Sequence, residues 1–67
     1  MINTNKLKAK MVENGLLICD VSKQLRISRQ AFSQKLNNKN DFALSEVKEL
    51  TLILNLDTKD ITDIFLI

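Results

Sequence analysis

Val21-Ser22-Lys23-Gln24-Leu25-Arg26-Ile27-Ser28-Arg29-Gln30-Ala31-Phe32-Ser33-Gln34-Lys35-Leu36 reads as two short helices joined by a tight turn. Val21 and Leu25 stand one helical turn apart, and Phe32 and Leu36 repeat that spacing after a break at Arg26-Ile27-Ser28. Ser28 is suited by type to cap the second helix, its hydroxyl oxygen accepting from an amide of the first turn. The small Ser22 lets the helices approach where they cross, and Ile27 plugs the turn into the core. This spacing predicts a helix-turn-helix over about 18–36. The outer side of the second helix carries Arg29, Gln30, Ser33 and Gln34 at i, i+1, i+4 and i+5. Arginine pairs with guanine O6 and N7, glutamine with adenine N6 and N7, and serine with several base-edge groups.

Outward from this pair the pattern stays helical. A first helix is expected from about Thr4 to Asn14, with Asn3 or Thr4 as cap, Leu7 and Met11 inward, and Gly15 supplying the left-handed residue that closes it. The second helix runs from about Ile18 to Leu25 and the third from about Arg29 to Leu36. Asn37-Asn38-Lys39-Asn40-Asp41 is a polar loop. Ser45 is expected to cap a fourth helix to about Leu54 with Val47, Leu50 and Leu54 inward. Asp57 or Thr58 then starts a fifth that buries Ile61, Ile64 and Phe65. The expectation is all-α: five short helices in one domain over 1–67, with an apolar tail at 64–67.

Composition removes whole classes of function. The 67 residues include one cysteine, Cys19, and no histidine, so neither an intramolecular disulfide nor a zinc set can form from this chain's own residues. With no histidine and no glycine-rich phosphate loop, the usual apparatus of acid–base and nucleophilic catalysis is missing, and the chain is not read as an enzyme. No cofactor is expected. The longest apolar runs, Leu16 to Cys19 and Ile64 to Ile67, are four residues each, too short for a membrane span or a signal peptide.

Charge is unevenly placed. Residues 1–39 hold eight Lys or Arg against two acids, whereas residues 40–67 hold two Lys against six acids, although the whole chain carries only +2. The first half is therefore suited to an anionic partner. Acids stand near the starts of the fourth and fifth helices, as the helix dipole favours, but Lys6 and Lys8 crowd the start of the first helix and Arg29 that of the third. A cation at such an end is consistent with an external anion arriving there.

Over nearly its whole length the chain resembles the small Cro-like regulators of Gram-positive phages, which share the lambda-repressor-like fold. The resemblance rests on Val21 to Gln30, on Phe32-Ser33-Gln34-Lys35-Leu36-Asn37-Asn38-Lys39 and on Asp41-Phe42-Ala43-Leu44-Ser45-Glu46-Val47. It implies a cytoplasmic DNA-binding transcriptional regulator, a Cro-like repressor of a phage lysis/lysogeny switch, bound as a homodimer to a two-fold double-stranded operator. On that basis Ser28, Arg29, Gln30, Ser33 and Gln34 read bases, and Asn38 and Lys39 form a phosphate loop. Lys10, Lys23 and Lys35 add attraction to phosphate. Three positions depart from the family pattern: Arg26 replaces the usual turn glycine, Ile18 the phosphate-clamping glutamine, and Asn38 the loop glycine. The apolar tail suggests a contact with another chain. The alternative function is an antirepressor that binds the phage repressor in a hetero-complex and modulates its DNA binding.

Overall fold

The computed structural model describes residues 1–66. They form five α-helices and no strand: α1 (Thr4–Glu13), α2 (Ile18–Leu25), α3 (Arg29–Leu36), α4 (Leu44–Ile53) and α5 (Thr58–Phe65). Helix α2 packs against α3 and α4, and α1 packs against α5. Leu7, Met11, Val21, Leu25, Phe32, Leu36, Leu50, Leu54, Leu56 and Ile64 make up one buried core. Each is supplied by a helical stripe or by the residue just beyond a helix end, so every helix contributes one face. No helix among the described residues is long and apolar enough to cross a membrane.

Four helices end in the same way. Gly15, Arg26, Asn38 and Asn55 adopt left-handed φ of 67°, 61°, 63° and 52° after α1, α2, α3 and α4. In each case the next amide reaches back five residues: Leu16 N–H to Met11 C=O, Ile27 to Ser22, Lys39 to Gln34 and Leu56 to Thr51, at 2.8–3.1 Å. This is the Schellman closure, which satisfies a carbonyl left open at the helix end and folds the following apolar residue onto the core. Leu16, Ile27 and Leu56 all pack there. Only the first closure uses glycine. Arg26 in this conformation costs about 1 kcal/mol, which the turn's two backbone hydrogen bonds and the packing of Ile27 sustain.

The helix starts divide by chemistry. Asn3 Oδ1 accepts from Lys6 N–H at 3.1 Å, Ser28 Oγ from Ala31 N–H at 3.0 Å and Asp57 Oδ1 from Asp60 N–H at 2.7 Å. Helices α2 and α4 have apolar N-caps, Leu17 and Ala43, whose own amides donate to Asp20 and Glu46 three residues on, at 2.8 and 2.7 Å. The expected Ser45 cap of the fourth helix is thus displaced: the helix begins before it, because Glu46 closes the end from inside.

The first half of the tail packs on its own chain. Ile64 is fully buried, and Phe65 packs edge-on against Phe42, which in turn packs on Phe32, with ring centroids 6.1 and 6.0 Å apart. Leu66 is 61% exposed, and Ile67 lies outside the described residues. Val47 and Ile61, expected inward, are half-buried beside an open apolar groove shared with Leu44 and Leu52.

Candidate nucleic-acid interface

Phe32 and Leu36 sink one side of α3 into the core, which turns its other side outward. Arg29 and Gln30, in the first turn, are exposed, and Ser33 and Gln34, one turn later, are half-buried. Ser28 is exposed too, but its hydroxyl is engaged as the α3 cap. Four of the five expected base-reading side chains therefore share one accessible strip, and the fifth fixes the end of that strip.

The loop after α3 is tied down from two directions. Asn38 Oδ1 accepts from Ile2 N–H at 2.7 Å, and Asn38 Nδ2 donates to Ile2 C=O at 3.1 Å, a two-point clamp of the kind strand backbones make. Thr4 Oγ1 donates to Leu36 C=O at 2.6 Å and Asn3 N–H to Ile64 C=O at 2.7 Å, so the N-terminal segment bridges the loop and α5. Asn38, expected at phosphate, has its amide committed to this clamp. Lys39 beside it is exposed and makes no ion pair among the described residues.

Two of the expected phosphate-attracting lysines are engaged elsewhere. Lys35 Nζ lies 2.6 and 2.7 Å from the two carboxylate oxygens of Glu46, joining α3 to α4, with the two side chains 19% and 12% exposed. Burial pushes the Glu46 carboxyl up, but Lys35 and the Ala43 amide outweigh it and hold Glu46 below its usual value. Lys10 Nζ sits 3.2 Å from both Asp60 and Glu13, with Lys6 Nζ 3.9 Å from Asp60 on the same side. Hydrogen bonds to Asp60 and then Glu13 raise Lys10, and the Asp57 amide with Lys10 lowers Asp60 against the opposing effect of its burial. The two pairs with Asp60 fasten α1 to α5. The cations without an ion pair among the described residues on this half of the chain are Lys8, Lys23, Arg26, Arg29 and Lys39, all exposed.

A shallow depression runs between the start of α2 and the outer strip of α3, lined by Leu17, Ile18, Cys19, Arg29, Gln30 and Ser33. Leu17 is 68% and Ile18 38% exposed, and Cys19 is exposed as well. The start of α2 is a poor phosphate seat, since the Asp20 carboxylate already sits at this end, accepting from Leu17 N–H. Periodicity alone did not mark this groove, nor the hydrogen bond that Asn40 Nδ2 in the following loop donates to Gln34 Oε1 at 3.1 Å, because both join residues from separate elements. Comparison with protein-family models, with curated proteins and with solved structures returned no match.

Proposed function

We propose that this chain is a sequence-specific DNA-binding transcriptional regulator of the Cro-like helix-turn-helix kind, acting in the bacterial cytoplasm on a phage or prophage lysis/lysogeny switch. The observation that carries the reading is the outer strip of α3: Arg29 and Gln30 exposed, Ser33 and Gln34 beside them, on a helix whose reverse side is anchored by Phe32 and Leu36. A helix of this length fits the major groove, and these side chains are directional donors and acceptors for base edges. Exposed cations flank the strip along the chain: Lys23 and Arg26 before it, Lys39 after it. They supply the sequence-independent attraction to phosphate. A two-fold dimer, with half-sites ~34 Å apart, completes the model of repression by occupancy.

Electrophoretic mobility shift with a pool of random-sequence duplexes, followed by enrichment of the retarded fraction, tests this. Retardation that weakens steeply between about 50 and 200 mM salt, with one motif enriched, supports the reading; no enriched motif rejects it.

One observation favours a second reading, the antirepressor. The groove beside α3 is apolar at Leu17 and Ile18 and closed to phosphate by Asp20, a surface suited to a protein partner. In that case the chain alone retards no DNA and instead alters the mobility shift produced by the cognate phage repressor.

A further inference from the structure

Gln34 does not present its whole carboxamide outward. Asn40 Nδ2 donates to Gln34 Oε1 at 3.1 Å, from the loop that follows α3. The backbone holds the two residues together independently: Lys39 N–H and Asn40 N–H both donate to the Gln34 carbonyl, at 2.8 and 3.4 Å. Gln34 is half-buried, which narrows the orientations its amide can take.

A carboxamide has one accepting oxygen and an NH2 with two donors. Bidentate recognition of adenine uses both ends, the oxygen accepting from N6–H2 while the NH2 donates to N7. With one lone pair of its oxygen engaged by Asn40, Gln34 offers its two N–H donors more freely than its oxygen. The base edge that matches two donors is guanine, with N7 and O6 side by side, whereas adenine N7 and thymine O4 each offer a single acceptor. The geometry points to Asn40 as a positioning residue that sets the base preference of Gln34, turning it from adenine towards guanine. The inference rests on the reading of α3 as a major-groove helix.

The experiment is motif enrichment from duplexes with a randomised core, run on the full chain and on Gln34→Ala, Asn40→Ala and Asn40→Asp, with thermal unfolding of each variant alongside. Gln34→Ala identifies the base position that Gln34 reads, as the one whose preference it erases. At that position the unsubstituted chain selects guanine. Asn40→Ala frees the amide, so the preference against adenine falls by about five- to tenfold. Asn40→Asp reverses it: a carboxylate accepts from the Gln34 NH2, the oxygen turns out, and adenine N6 or cytosine N4 becomes the favoured partner. A general loosening of the loop weakens binding to all sequences and produces no such reversal. Selection of adenine by the unsubstituted chain, or an unchanged base in both Asn40 variants, overturns the inference while leaving DNA reading intact. Absence of any motif overturns both.

Discussion

Replacing Lys35 by methionine keeps the aliphatic stem and removes the ammonium from between two carboxylate oxygens at 2.6 and 2.7 Å. Exposed ion pairs contribute about 0–1 kcal/mol, whereas losing one partner of a fully buried pair costs about 3–5 kcal/mol. Lys35 and Glu46 are 19% and 12% exposed, between those limits, and charge-assisted hydrogen bonds are worth about 1.5–3 kcal/mol. The expected loss is about 2 kcal/mol. At about 0.05–0.15 kcal/mol per residue a domain of this size holds only about 3–10 kcal/mol, so the variant loses a fifth of its stability or more. Its Tm should fall by about 8–16 °C, at about 4–8 °C per kcal/mol for a domain of this size. Calorimetry and urea titration measure this, and the double variant Lys35→Met/Glu46→Gln should recover part of it, since the carboxylate no longer stands unpaired. The salt dependence of DNA binding should not change. An unaltered Tm together with a salt slope lowered by about one unit would refute this reasoning and return Lys35 to phosphate.

Three further outcomes are expected. Arg26→Gly relieves the left-handed strain at φ 61° and should raise stability by up to about 1 kcal/mol, read as a higher Tm; a lower Tm would show that the arginine stem packs more than the turn strains. Arg29→Ala should relax preference at one base position by about 1–3 kcal/mol, while Lys39→Ala weakens all sequences alike and lowers the salt slope by about one unit; enrichment and salt titration of both variants distinguish these effects. Stability should fall at the acid end. Glu46 and Asp60 titrate below their usual values in the fold, so their contribution is complete above about pH 4 and is lost as pH drops through the lowered values. Lys10 is raised, so its contribution is complete below about pH 10 and is lost as pH rises beyond that. Tm measured against pH should give a plateau with both edges, and Asp60→Asn should reduce both in part, leaving the Glu46 share of the acid edge.

The boundaries of α2 and α3 were legible because local signals coincide there: the i,i+4 apolar pairs Val21/Leu25 and Phe32/Leu36, and the Ser28 hydroxyl. The start of α4 was not, because Glu46 closes it through its own side chain and leaves Ser45 without the capping task. In the tail, the burial of Ile64 followed from helical spacing, but the seat of Phe65 did not: it packs on Phe42, an aromatic contact between distant segments that no periodicity reveals. Arg26 was legible only as an oddity. The backbone kept the left-handed turn in spite of the side chain, since the Ile27 amide and the Ile27 packing define the closure more strongly than about 1 kcal/mol of strain opposes it. At the candidate site, the outer strip of α3 followed from spacing, whereas the committed amide of Asn38, the Asn40–Gln34 contact and the apolar mouth of α2 all depend on how separate segments meet.

The uneven charge of the chain takes on a second meaning in the folded state. In sequence, eight cations against two acids over residues 1–39 reads as a field awaiting an anion. In three dimensions part of that field is internal: Lys10, with Lys6 close by, meets Asp60, and Lys35 meets Glu46, so the basic half is held to the acidic half by its own charges. What remains for an external anion is smaller: Lys8 on α1, and Lys23, Arg26, Arg29 and Lys39 on α2, the turn, α3 and the loop that follows. Two lysines at α1 and α3 that sequence alone would count towards phosphate serve the core instead. The division explains how a domain this small can be acidic and basic at opposite ends of its sequence. The same asymmetry that recommends a DNA partner also supplies the ion pairs that join α1 to α5 and α3 to α4.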